Sequence, residues 1–301
     1  MSADTARARA TLAARRLIEV RRLDAAAAVR QRLETARARA AYQLAFLSPD
    51  RFSFVEAYEA RLEERWALAV HSRGGVGAAT LLLGEDRLIA ALLRLHPGPR
   101  HTLLTCDPEH SQTALAAYHL WRPQVMLRMQ LEVAAFALPA ATLTVRRLAR
   151  EDAHDLNRLY ALEGAGFWYS GRQIDEGAYF GAHVRGQLVA AAGTHTYSRS
   201  EAVGVVGNVF THPDFRNRGY GSAVTAAVTA HLLESCDLLV LNVDPANRGA
   251  RRVYEKLGYR EAGRVLEAMA TRRATLSPLP LINRVIARWR SETPGVAVVP
   301  A

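Results

Sequence analysis

The chain has 301 residues, half of them hydrophobic, and a net charge of +10, enough for two packed domains of about 150 residues. No apolar run approaches the roughly 18 residues that span a bilayer, and no continuous apolar stretch near the start marks a secretory signal. Cys106 and Cys236 stand far apart without metal-ligand spacing, so buried free thiols, a reducing cytoplasm and no metal are expected.

The positive charge is almost wholly arginine, since Lys256 is the only lysine. The arginines are scattered rather than interleaved with aromatics, so nucleic acid is not the expected partner. Residues 1–40 are rich in Ala, Arg, Leu and Glu, and Leu12, Ile18, Val20, Leu23, Val29 and Leu33 recur at roughly helical spacing. An N-terminal helical segment is expected. Asp4, Glu19, Asp24 and Glu34 argue against a mitochondrial-type presequence.

Residues 41–140 read as a mixed α/β domain. Trp66–Ser72 and Val76–Leu83 flank Arg73-Gly74-Gly75, a hairpin signal. Arg87–Leu95 follows as a helix, His101–Cys106 as a strand, Ser111–Leu120 as a helix and Val125–Val133 as a strand. Residues 141–273 repeat the mixture. A strand (Thr142–Leu148) leads to a helix (Arg150–Leu162) whose first turn holds Glu151, Asp152 and Asp155, as the helix dipole favours. A hairpin (Tyr179–Val184 and Gln187–Thr194), a long strand (Glu201–Thr211) and an alanine-rich helix (Ser222–Leu233) come next. Residues 274–301, with Pro278, Pro280 and Pro294, read as a helix (Leu281–Arg290) and a loose tail.

The junction Val209-Phe-Thr-His-Pro-Asp-Phe-Arg216-Asn217-Arg218-Gly219-Tyr220-Gly221-Ser222 is the most informative stretch. It joins a strand to a helix N-terminus through two glycines and two arginines, an arrangement suited to phosphate oxygens. Its spacing is neither a Walker loop nor a dinucleotide fingerprint. Arg216-x-x-Gly219-x-Gly221 resembles the pyrophosphate loop of the GNAT superfamily of N-acetyltransferases. One helix later comes a strand ending in Asn242, then Asn247-x-x-Ala250-x-x-x-Tyr254-x-x-x-Gly258-Tyr259, similar to the second signature of that superfamily. Two motifs in the right order identify residues 141 to about 270 as a member.

The resemblance implies tandem GNAT-like domains, each a mixed, mostly antiparallel twisted sheet flanked by helices. The first half resembles a degenerate GNAT-like domain, as in glycine N-acyltransferase-like proteins. Asp107-Pro108-Glu109-His110 is expected where its phosphate loop would be, and those acids would repel pyrophosphate.

The resemblance further implies acetyl-CoA as co-substrate and direct transfer of its acyl group to a primary amine of a small molecule or amino acid. Val209, Phe210, Thr211, Arg216, Asn217, Arg218, Gly219, Tyr220, Gly221, Ser222, Asn242 and Asn247 are the expected cofactor-binding residues. Asn247 reads equally as a helix N-cap. Tyr254 matches the general-acid tyrosine, and a phenol can protonate a thiolate; the bland alternative is a core ring. Many members carry a glutamate on the central strand, where this chain has Gly207 and Asn208. His195 and Glu176 are the expected ends of a water relay serving as base. Gly164–Ser170, with three adjacent aromatics, reads as an acceptor wall or an interface plug. A lapsed acyl-CoA sensor or assembly module and a protein N-acetyltransferase are the competing readings, and a homodimer is left open.

Overall fold

The structure is a computed structural model and describes residues 17–74, 77–139, 143–162, 164, 168–273, 279–289, 291 and 293–300. Leu12, Ala165–Phe167 in the aromatic stretch, and Pro278 lie outside the described residues. The chain folds as two compact units that cut across the boundaries expected from sequence. One comprises the residues up to Thr35, Pro49–Val125 and those from Val265 onward; the other comprises Ala36–Ser48 and Met126–Arg264.

The same element order occurs twice. The first pass runs β1 (Leu17–Leu23), α1 (Ala26–Leu33), α2 (Arg37–Leu44), β2 (Val55–Leu62), β3 (Arg65–Gly74), β4 (Gly77–Gly84), α3 (Asp86–Leu95), β5 (His101–Cys106), α4 (Ser111–Ala117) and β6 (Tyr118–Glu132). The second runs β7 (Val145–Arg147), α5 (Ala153–Ala161), α6 (Gly171–Glu176), β8 (Phe180–Val184), β9 (Gln187–Ser198), β10 (Val203–Thr211), α7 (Tyr220–Leu233), β11 (Leu238–Val243), α8 (Arg248–Lys256) and β12 (Arg260–Arg272). Helix α9 (Leu279–Trp289) and β13 (Val296–Pro300) end the chain. Each pass is therefore strand, two helices, three strands, helix, strand, helix, strand.

The final strands are exchanged. In the first unit the order is β13-β1-β2-β3-β4-β5-β12, in which Leu266–Thr271 of β12 pairs antiparallel with β5. In the second it is β6-β11-β10-β9-β8-β7, in which Leu127–Glu132 of β6 pairs antiparallel with β11. Only β4 with β5 and β10 with β11 are parallel among these pairs, each joined by a crossover helix, α3 or α7.

Packing follows the apolar pattern. Helix α3 buries Leu88, Ile89, Leu92 and Leu95 in the first core, a stripe along one helical face. Val224, Val228 and Leu232 of α7 pack on Val206, Leu239 and Leu241 in the second. A smaller cluster on Leu156, Leu159 and Tyr160 of α5 takes in Ala191 of β9 and Phe210 of β10. The expected N-terminal helix is a strand over Leu17–Leu23. Ile18 and Val20 are buried while Glu19 and Arg21 point outward, a period of two, and β13 and β2 pair on either side.

By position in the repeat, the counterpart of the strand-to-helix glycine loop in the first unit is Gly84-Glu85, between β4 and α3. Asp107–His110 instead follows β5, and so matches Asp244–Asn247 after β11. This corrects the placement read from sequence. The acidic character of the loop counterpart remains, because Glu85 and Asp86 open α3.

Candidate active site

Strands β10 and β11 pair at Val203–Leu238, Gly204–Leu239 and Val205–Val240, and no further. Beyond that point β10 runs on to Thr211 and β11 to Val243. The parallel strands thus part and leave a wedge lined by main-chain groups that no neighbouring strand satisfies.

The loop after β10 closes one side of the wedge. Gly219 has φ +85° and precedes the first turn of α7, whose first helical bond to it is Ala223 N–H to Gly219 O at 3.0 Å. The N–H groups of Tyr220, Gly221 and Ser222 therefore have no partner within the helix. A Cβ on Gly221 would come 3.1 Å from Thr211 Oγ1. Arg216 and Arg218 are exposed and lie over Phe210 and Phe215, with ring-centroid distances of 5.6 and 5.5 Å. Asn217, also at positive φ, sits between them. Arg216 Nε donates to Thr211 O at 3.2 Å, which fixes that guanidinium beside the loop. Bare N–H groups, glycines where backbone must be approached and two exposed guanidinium groups form a cradle that suits a pyrophosphate.

Asn247 is exposed and caps α8, its Oδ1 accepting from Ala250 N–H at 3.0 Å. That bond leaves the Asn247 amide N–H groups for other partners. Tyr254, about two turns further, is 6% exposed and packs edge-on to Tyr259, ring centroids 6.1 Å apart. Its hydroxyl has no hydrogen-bond partner among the described residues, and burial pushes its pKa up to about 12. The phenol is therefore protonated at neutral pH and cannot serve as the base.

The opposite face of the wedge was less visible in sequence. Val206 and Leu241 belong to the core beneath α7, so the next residues, Gly207 and Asn242, face the other way. His195 is a bulged residue of β9: Thr196 pairs with Val205 and Thr194 with Val206, skipping it. Its ring lies over Gly207 and is solvent-accessible, though protein surrounds it. Desolvation, with the Arg128 guanidinium as a second cause, lowers its pKa below the ordinary histidine value, so it is neutral at pH 7.

Arg128 of β6 is buried, donates from Nε to Asn242 Oδ1 and from Nη1 to Ala38 O at 2.7 Å. Helix α2, which carries Ala38, packs on β9, β10 and β11 and is tied down by Arg37 donating to Glu201 O at 3.0 Å and to Asp237 at 2.9 Å. The first half of the chain thus supplies two walls of this site, α2 and Arg128. No local pattern signals either one.

Asn208 sits in a second bulge, on β10, at φ +54°. Its Oδ1 accepts from Tyr169 Oη at 2.9 Å, its Nδ2 donates to Tyr179 Oη at 3.2 Å, and its carbonyl accepts from Tyr160 Oη at 2.5 Å. Among the described residues of the Gly164–Ser170 stretch, Tyr169 is the aromatic brought to the site; Trp168 is 75% exposed. Glu176 ends α6 on the surface, where its carboxylate accepts from Arg172 Nε at 2.5 Å. His195 lies against the wedge; Glu176 is held in a surface ion pair.

Residues 183–268, from β8 through most of β12, match the model of the FR47-like protein family. The fold of a GCN5-related N-acetyltransferase from Kribbella flavida superposes at 18% identity with a TM-score of 0.50, covering 67% of this chain and 86% of that one. That likeness is one of fold. A mycothiol acetyltransferase from Thermobispora bispora is 38% identical over 91 residues, 29% of this chain and 31% of its own length. An uncharacterized N-acetyltransferase from Methanocaldococcus jannaschii is 29% identical over 139 residues, 40% of this chain and 62% of its own length. The chain thus spans less than two thirds of either relative. No helix among the described residues is long and apolar enough to cross a membrane.

Proposed function

We propose that the second unit is a GNAT-type, acetyl-CoA-dependent N-acetyltransferase that acylates a primary amine of a small molecule or amino acid. The observation that carries this reading is the wedge between β10 and β11, with a phosphate cradle on one side and an unpartnered tyrosine hydroxyl on α8. The acetyltransferase names of both relatives support the same chemistry.

Bound acetyl-CoA would supply the thioester. Main-chain N–H groups from Arg218 to Ser222, with Arg216 and Arg218, would hold its pyrophosphate. Main-chain groups of Val209, Phe210 and Thr211, together with Asn242 and Asn247, would take the pantetheine arm. The neutral His195 removes a proton from the attacking amine, directly or through water. Tyr254 returns a proton to the departing thiolate. Arg128 holds Asn242 and lowers the pKa of His195, which keeps the base ready near neutral pH.

A second reading, an acyl-CoA-binding sensor or assembly module, is favoured by Asn208. An amide that cannot take a proton stands on the central strand and is fully engaged by tyrosines. The deciding experiment is a panel of small amines and peptides assayed for free CoA release with acetyl-CoA as donor. Turnover of a small amine supports the enzyme, and turnover of peptides alone moves the assignment to protein acetylation. Tight acetyl-CoA binding with no turnover moves it to the sensor.

A further inference from the structure

The turn after β5 reads Asp107-Pro108-Glu109-His110, and the turn after β11 reads Asp244-Pro245-Ala246-Asn247. Both leave the second strand of a parallel pair and enter the next helix. In the second unit the fourth residue caps its helix. In the first, Glu and His replace Ala and Asn, and they assemble a different kind of site.

His110 is 1% exposed. Its Nδ1 lies 3.0 Å from Asp86 Oδ1, and Thr113 Oγ1 donates to the other Asp86 oxygen at 2.6 Å. An ionised carboxylate only accepts, so the ring proton belongs on Nδ1 and Nε2 presents a lone pair. That Nε2 is buried without a hydrogen-bond partner among the described residues. It faces Glu109 Oε1 at 3.9 Å, too far for a hydrogen bond even if the ring were doubly protonated. One ligand atom each from Asp107, Glu109 and His110 lie within 4.8 Å of one another. The unpartnered Nε2 thus lies beside two carboxylates, each able to offer an oxygen to the same ion.

We propose that the first unit binds a divalent transition-metal ion through Asp107, Glu109 and His110. Imidazole with carboxylates suits Zn²⁺, Co²⁺ or Ni²⁺, whereas Mg²⁺ and Ca²⁺ prefer oxygen alone. Metal bonds of roughly 2.0–2.2 Å in a tetrahedral site put ligand atoms about 3.4 Å apart, so donors now within 4.8 Å of one another must close by at most about 1.4 Å, and the Glu109 side chain, 78% exposed, has room to swing inward. Asp86 is the outer partner that fixes tautomer and ring orientation in metal-bound histidines. Three protein ligands leave a coordination position open to water or a small ligand. No metal was expected from sequence, where only the two cysteines were weighed for ligand spacing and Asp107–His110 was read as the counterpart of a phosphate loop. The proposal is independent of acyl transfer in the second unit.

The test is titration of the full-length chain with Co²⁺, followed by visible d–d absorption, with Zn²⁺ competition and Mg²⁺ as control. One Co²⁺ per chain should bind, be displaced by Zn²⁺ and ignore Mg²⁺. His110→Gln should abolish the band. Because that variant alters a buried side chain, Glu109→Gln and Asp86→Asn carry the decision, each lowering affinity by about 10- to 100-fold with the circular dichroism of the metal-free protein unchanged. No Co²⁺ spectrum from the wild-type chain would overturn the proposal. So would wild-type affinity in both surface variants, which would assign the ion to another histidine.

Discussion

The imidazole of His195 fills the space that a side chain on Gly207 would occupy: a Cβ there would lie 2.2 Å from His195 Nε2. The bulge at His195 and the missing side chain at Gly207 together fit a neutral base over the central strand. His195→Gln should therefore lower kcat/KM by something like the ~100- to 10,000-fold typical of general bases. The pH profile gives a second reading. A base must be neutral, so activity rises with pH through its pKa and is flat above it. Burial and Arg128 put that limb below pH 6.5, and it should vanish in His195→Gln. Gly207→Ala should cause a similar loss by displacing the ring, with acetyl-CoA affinity unchanged. An identical profile in wild type and His195→Gln would remove His195 from the chemistry.

Gly219→Val and Gly221→Val should abolish acetyl-CoA binding while leaving the fold intact. Gly219 holds φ +85°, which a β-branched residue resists. A side chain at Gly221 starts 3.1 Å from Thr211 Oγ1 and points to where phosphate would approach. Calorimetry with CoA, alongside a melting curve, checks both. Undiminished CoA affinity in either folded variant contradicts the cradle.

Tyr254→Phe retains the ring that packs on Tyr259 and removes only the hydroxyl. Turnover should fall by ~100- to 10,000-fold while CoA affinity barely moves, since the phosphates are held elsewhere. The separation of kcat from binding distinguishes a proton donor from a core ring. Turnover within about threefold of wild type would make Tyr254 structural.

The second half was legible because its signals are local. The strand, glycine loop and helix around Arg216–Ser222 lie in one continuous stretch, and so do Asn247 and Tyr254. The failures are all non-local. Leu17–Leu23 reads as helix beside its Ala- and Arg-rich neighbours, and becomes a strand because β13, from the far end of the chain, pairs with it. Propensity yields there to tertiary pairing. Arg128 reaches the site only because β6 is exchanged into the second unit, and no spacing within either half encodes that exchange; α2 reaches it as a separate segment of the first half packed on β9, β10 and β11. His195 was chosen by residue type alone; its bulge is a matter of register, set by two strands at once.

CoA should bind at one site per chain. The first unit repeats the element order of the second, so a repeat alone would suggest two. Its counterpart of the glycine loop is the short Gly84-Glu85 turn, with Asp86 opening α3, and negative side chains at a helix N-terminus compete with phosphate for the same N–H groups. Isothermal titration of the intact chain measures the stoichiometry directly. Two equivalent sites would mean that the first unit has kept the binding function of the second.

Stability should fall as pH drops from about 6.5 to 5, a window set chiefly by the buried His71 and the half-buried His96 of the first unit. Burial lowers His71 to about 4, where its ring hydrogen-bonds Thr80 at 3.0 Å and His96 O at 3.3 Å. Burial, with Arg284 as the next cause, lowers His96 to about 3, and its ring stacks on Tyr58 at 3.7 Å. Above pH 6.5 both histidines are neutral whether folded or not, and their contribution is fully present. Below that, the unfolded chain takes up protons that the folded chain refuses, so stability is lost as pH falls toward the folded pKa values. The slope is about 1.4 kcal/mol per pH unit for each histidine. Paired carboxylates do not blur this window: burial raises Glu59, but hydrogen bonds from Arg61, Arg32 and Arg21 outweigh it and hold its pKa below the ordinary value. Urea unfolding at pH 7, 6 and 5 measures the slope, and His71→Gln should reduce it by about half. A stability that is flat from pH 7 to 5 would mean that both rings can be protonated without leaving their places.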